Sequence, residues 1–391
     1  MKGKGRLLMI FAVIAAFVIF FSQCVDAPKE LKATENTLAG SESCKQCHQK
    51  IYNDYQHDFH ARTSRAVRDT DLVEGPLPDS IYRFHKHLKI QVEKRSGGMY
   101  QVAYFDGEEA MARRFDVVIG SGKHAYTYGS WQGKMLLQLP LSYFRAINAW
   151  ANSPGFPKDR VHFSRPIDQR CLECHSSFVE QAPATHQGIA TVERFQPGSV
   201  VYGINCERCH GPAGRHVEFH RNDREEKKPH YITLYSSLTR KQRLDACGIC
   251  HSGVDMQSLK TTFNFKPGDT LESYYAIAAN QQGQASPDVH GNQVQMLAQS
   301  KCFTASDKLD CNTCHSPHES KKAGLTAYSR KCMSCHPSVE HSAKTLSNAM
   351  VKTNCIDCHM PLQKSRVISF QEAGKSDASP YKLHTHRIAI Y

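Results

Sequence analysis

The stretch CNTCHSPHE carries Cys311, Cys314 and His315 at Cys-x-x-Cys-His spacing, with His318 three residues further on. Two thiols one helical turn apart can form thioether bonds to the vinyl groups of a single haem. The adjoining imidazole then lies under the iron as an axial ligand. The motif occurs seven times and takes up fourteen of the sixteen cysteines. Its thiols are Cys44 and Cys47, Cys171 and Cys174, Cys206 and Cys209, Cys247 and Cys250, Cys311 and Cys314, Cys332 and Cys335, Cys355 and Cys358. Its proximal histidines are His48, His175, His210, His251, His315, His336 and His359. A disulfide framework gives no reason for a histidine after every second cysteine. Zinc also binds Cys-x-x-Cys, but seven copies with the same histidine offset, behind an export-type N-terminus, read as haem attachment. The expected cofactors are therefore seven covalently attached haem c groups.

Fifteen of the 22 histidines remain for the opposite faces of these haems. A distal ligand must approach from the side of the porphyrin away from its proximal partner. His318 lies only three residues after His315, and His216 six after His210, so neither readily reaches the far side of its own ring. His60 follows His48 by 12 residues, about 18 Å along a helix. If these three are ligands, each ties its segment to another segment's haem. A chain of interlocked, closely stacked haems follows.

The elements that must position these groups fall into two regimes. A gap of 127 residues separates Cys44 from Cys171, whereas the later steps are 35, 41, 64, 21 and 23 residues. Within the gap, IYRFHKHLKIQVEKR, MYQVAYFDG and FDVVIGSG alternate apolar and polar residues around Gly97-Gly98 and Asp106-Gly107, which are strand and hairpin signals. Segments of 20 to 40 residues per motif cannot bury a conventional core of their own. The expected fold is mainly α with extensive irregular structure, short helices packed around stacked haems, plus a small β-rich haem-free insertion. The expected divisions are a signal peptide (1–23), a linker (24–40), a first haem segment (41–75), the insertion (76–150) and a six-haem region (151–391).

Lys2, Lys4 and Arg6 precede the apolar run Leu7–Phe21. A charged start and 15 apolar residues suit an export signal, with an uncleaved anchor as the alternative. Cys24 follows in FFSQC, where a lipoprotein cysteine would stand, although Phe21 and Gln23 depart from the usual lipobox. A free or disulfide-paired Cys24 is the other reading, with Cys302 as a conceivable partner. The expected location is the periplasm or cell envelope, with membrane attachment through a lipid on Cys24 as an option. The net charge is +12. Each haem brings two propionates, so seven would offset it, and Lys and Arg are scattered; no nucleic-acid partner is expected.

CKQCHQKIYNDYQHDFHA, NCERCHGPAGRHVEFH, DVHGNQVQMLAQSKCF with LDCNTCHSPHE, and CIDCHMP with KLHTHRIAIY resemble the multihaem cytochrome c superfamily. That superfamily holds the tetrahaem cytochrome of ammonia oxidisers, pentahaem nitrite reductase and octahaem hydroxylamine oxidoreductase. The resemblance covers roughly 41–66 and 165–391, and implies distal ligation by His60, His216, His290, His318 and His386. His341, in CHPSVEHSAK, is a further candidate. No CxxCK motif of the nitrite reductase type is present. Two functions follow. One is electron transfer between a respiratory donor and a reductase or outer-membrane partner, through redox partner proteins. The other is a multihaem oxidoreductase acting on a small nitrogen or sulfur oxyanion at one five-coordinate haem. The histidine count supports the first.

Overall fold

The computed structural model describes residues 31–67, 81–187, 190–253, 256–276, 285–288, 290–319, 324–338, 341, 348–375 and 377–391. The expected signal segment 1–23, Cys24 and the start of the insertion at residue 76 lie outside the described residues. No helix among the described residues is long and apolar enough to cross a membrane. The chain forms two compact units: one joins the residues up to Ala39 with Pro212–Ile232, and the other comprises Gly40–Gly211 and Thr233–Tyr391.

Alternation in the first long gap produces strands as expected. Ile81–His85, Leu88–Arg95, Gly98–Phe105 and Glu108–Arg114 form a four-stranded antiparallel meander in sequential order. Asp106 and Gly107 turn the last hairpin with φ of 50° and 94°, the positive values its tight turn demands. Buried Tyr82, Ile90, Val92, Met99 and Phe115 pack with Tyr128, Leu139, Tyr143 and Trp150 of the next sheet.

That second sheet has seven strands. Ser64–Ala66 from the first haem segment pairs with Val117–Ile119, and Arg165–Pro166 pairs with Met135–Gln138. Ala125–Gln132 runs through its middle, and Leu141–Phe144 and Ala149–Asn152 extend it. The insertion is thus woven into the segments on either side of it.

The expectation of a mainly α fold with only a small β insertion is overturned. Six separate sheets occur among the described residues. Four of them are two-stranded, and these hold stretches expected to be irregular: Ser176–Phe178 with Val201–Tyr202, Gln181–Gln187 with Ala190–Phe195, Gln257–Ser258 with Tyr275–Ala276, and Leu362–Phe370 with Ser379–His384. The last makes a hairpin of SFQEAGKSDASP, which reads in sequence as a flexible strap. These strands mix polar and apolar residues on both faces, so their periodicity is weak, and cross-strand pairing rather than a large apolar face holds them. The helices are short; Arg240–His251, of 12 residues, is the longest described.

Candidate functional site

Side-chain caps start several of the helices that carry the motifs. The Asp168 carboxylate accepts from the Cys171 N–H, and the Asn205 side chain from the Arg208 N–H. Thr239 with Gln242, and Asp310 with Thr313, form reciprocal capping boxes before CGICH and CNTCH. Such caps satisfy orphan N–H groups and fix where the first turn begins. In the motifs at Cys171, Cys206, Cys247 and Cys311 both cysteines lie at i and i+3 on one helical face.

The fold brings thiols of different motifs together. Cys44 meets Cys206, Cys174 meets Cys250, Cys247 meets Cys311, and Cys332 meets Cys355. As free thiols, contact with Cys44, Cys174 and Cys311 lowers Cys206, Cys250 and Cys247, while their partners are raised. Thioether sulfur has no proton to lose, so the lasting content of these contacts is the proximity of attachment points. Cys209 also lies near Cys247 and Cys250, and Cys314 near Cys335. The fourth motif is thus adjacent to the second, third and fifth; the first joins the third, and the sixth lies between the fifth and seventh. Cys302 is half-buried beside Cys314 and Cys332.

Histidines pair across segments. Ring centroids are 6.1 Å apart for His60 and His251, 5.9 Å for His210 and His318, 6.2 Å for His315 and His386, and 6.3 Å for His341 and His359. Each pair joins a motif histidine to one outside the motifs. Two metal–nitrogen bonds of ~2.0 Å, extended to the ring centres, span about 6 Å. The separations therefore fit one metal atom between each pair. Burial, and then the neighbouring His290, hold His175 down at about 4. His216 lies in the smaller unit, where its ring is 4.7 Å from that of His220. His48 immediately precedes the helix Gln49–Gln56. Among the described residues, no histidine ring packs against His336.

Several of these histidines have Nδ1 engaged by a carboxylate or a backbone carbonyl. His60 Nδ1 lies 2.9 Å from Asp58 Oδ1, which also accepts from the His60 N–H at 2.8 Å. Asp288 repeats this before His290, accepting from its N–H at 3.1 Å and lying 3.7 Å from its Nδ1. The Nδ1 atoms of His175, His359 and His216 approach the carbonyls of Thr63, Ala389 and His230 at 3.3, 2.9 and 2.8 Å. An anchored Nδ1 is the usual support of a metal-bound imidazole, leaving Nε2 to ligate. Burial opposes protonation of His60, yet Asp58 outweighs it and raises the imidazole above its ordinary range. The His60 and His290 side chains keep 44% and 43% exposure although burial is the leading influence on both.

Residues 55–64 position much of this arrangement. The Ile204 N–H donates to the His60 carbonyl at 2.9 Å, and the Tyr55 hydroxyl donates to the Ile204 carbonyl at 2.5 Å. Thr63 and Ser64 hydroxyls donate to the His175 carbonyl at 2.9 and 2.6 Å. Gly203, at φ 67°, allows this approach, because a Cβ there would overlap the Ala61 carbonyl. Tyr55 also packs edge-on against His318, with centroids 6.4 Å apart.

Asp58, Asp288, Thr63 and Tyr55 were not apparent as supports from sequence, although Asp-x-His occurs before both His60 and His290. Arg62 lies over Phe59, and Arg145 over Tyr126 and Tyr143. Arg215 lies over Tyr231. Arg170 and Arg208 instead flank Cys174 and Cys250.

A family profile described as cytochrome c554 and c-prime matches residues 141–211, spanning the second and third motifs. Over those residues the chain is similar to that cytochrome family. It is 21% identical to the dissimilatory sulfite reductase MccA of Wolinella succinogenes over 91% of this chain and 55% of that protein. The chain thus spans about half the length of that curated relative. The crystal structure of the outer cell wall cytochrome OcwA superposes with a TM-score of 0.54 at 15% identity, covering 86% of this chain and 79% of that one. That likeness establishes a shared fold. The comparisons support the multihaem class at low identity, without singling out the pentahaem or octahaem enzymes as particular relatives.

Proposed function

We propose that this protein is an exported c-type cytochrome that carries electrons through seven covalently attached haems between a respiratory donor and a reductase or outer-membrane partner. The observation that carries this reading is the set of histidine pairs, each uniting one motif histidine with one from another segment at about 6 Å. Haem supplies a one-electron ferric–ferrous couple when bound. The polypeptide sets ligand identity, ring orientation and burial. Contacts among attachment cysteines give neighbouring sites short separations, with the fourth motif as the junction of three branches. The domain limits, the export signal and the lipid on Cys24 belong to the same proposal.

Spin state tests it. Low-spin ferric signals from every haem, with no carbon monoxide binding by the reduced protein, are expected of an electron carrier. The named activity of MccA favours one second reading: a reductase acting on a sulfur oxyanion at one five-coordinate haem. A high-spin ferric signal together with carbon monoxide binding would replace the first reading with the second.

A further inference from the structure

The hairpin of Leu362–Phe370 with Ser379–His384 begins three residues after His359, and the residues that follow it fold back onto the seventh motif. His359 Nδ1 lies 2.9 Å from the Ala389 carbonyl, and the Ala389 N–H donates to the His359 carbonyl at 3.1 Å. His384 Nδ1 lies 2.6 Å from the Met360 carbonyl, and the Thr385 N–H donates to the Pro361 carbonyl at 3.2 Å. On its other side, the Cys355 N–H donates to the Ser329 hydroxyl at 2.9 Å, on the helix that carries Cys332. The seventh motif therefore adjoins the sixth and is clasped by its own hairpin.

This hairpin is unusually charged. Lys364 and Lys382 stand directly opposite each other on its two strands. Both are exposed, as are Arg366 and Arg387. Among the described residues none of these four cations pairs with a carboxylate; Asp357 and Glu372, on adjoining stretches, face His384 and Lys375 instead. Like charges directly opposite one another weaken a sheet, so the pairing of Lys364 with Lys382 costs stability with no return inside the fold. The same clasp exposes Leu362, Ile390 and Tyr391, at 58%, 93% and 57%. Exposed apolar side chains among unpaired charges suit a surface that another protein covers.

We propose that this face docks the acidic surface of a redox partner protein, and that electrons enter or leave the haem of the seventh motif across it. The proposal rests on the haem reading above. One electron passes between the partner's redox group and the haem, one being oxidised as the other is reduced, with no bond made or broken. The partner is acidic because the unpaired charges of the face are positive. It is a protein because a small anion makes no use of three exposed apolar side chains, and because a lipid surface neither donates nor accepts electrons beside a haem.

The test is stopped-flow reduction of the haem-loaded protein by fully reduced flavodoxin, a small acidic one-electron donor, at low and high salt. Wild type, Lys382→Glu, Arg366→Glu and Lys86→Glu are compared, with dithionite as a reductant that needs no docking. Lys86 is exposed in the haem-free β region and controls for a charge reversed elsewhere. The wild-type rate with flavodoxin should fall as salt rises. Lys382→Glu and Arg366→Glu should each lower the low-salt rate roughly tenfold. Lys86→Glu, and every variant with dithionite, should match wild type. Lys382→Glu should also raise the denaturation midpoint, because it sets opposite charges across the strands at Lys364; damage to the fold would lower it. Unchanged flavodoxin rates in both hairpin variants would overturn the proposal, as would an equal loss in Lys86→Glu. So would unchanged rates together with loss of binding to vesicles of phosphatidylcholine and phosphatidylglycerol, which would assign the face to a lipid surface. A wild-type protein without haem would instead overturn the haem reading itself.

Discussion

His318 lies opposite His210, with ring planes 9° from parallel and centroids 5.9 Å apart. Its neighbour in sequence, His315, faces His386 instead. On the proposed function, one nine-residue stretch would serve two sites: Cys311, Cys314 and His315 would build one, and His318 would complete the site of the third motif. A three-residue step cannot carry a side chain around a porphyrin, and the structure resolves the difficulty by giving the two imidazoles to different partners.

His318→Ala should leave the haem at Cys311 and Cys314 low-spin and convert the one at Cys206 and Cys209. Near-parallel imidazoles give a rhombic low-spin signal, so one rhombic component should disappear while a high-spin signal appears. If a strongly anisotropic component were lost instead, the partner assignment would be wrong.

His60 and His251 stand at 86° to one another, which predicts a strongly anisotropic low-spin signal for that site. Asp58→Ala removes the carboxylate that holds His60 Nδ1 at 2.9 Å. Loss of such a support weakens metal ligation by about 10–100-fold. Carbon monoxide should then bind the reduced variant at one site while haem content is preserved; an unaltered spectrum would remove Asp58 from the account.

Leu139 is fully buried in the core shared by the four- and seven-stranded sheets. Leu139→Ala should cost about 2–5 kcal/mol, as large-to-small core substitutions do. Chemical denaturation should show an earlier transition for the β region, with the low-spin signals of the native protein unaltered.

Gly203→Ala places a methyl group against the Ala61 carbonyl at a φ of 67°. A non-glycine residue held in that region costs about 1–3 kcal/mol before the overlap is counted. Denaturation midpoints should fall, and the sites of His60 and His175 should be the first to lose low-spin character on warming.

The candidate attachment residues were legible because the motif is local: five consecutive residues state it completely. The possible reach of His60 and His318 to other haems followed from spacing, since neither readily reaches the far face of a haem on the nearest motif histidine. The two-stranded sheets were not legible. Strands such as Leu362–Phe370 alternate exposed and buried positions irregularly, and their pairing partner lies beyond a loop that reads as flexible.

The most direct measurement is the intact mass of the purified, exported protein, read together with its pyridine haemochrome. The account predicts seven haems covalently bound to each chain, with no zinc. A mass carrying fewer than seven, or thiols holding zinc, would contradict it.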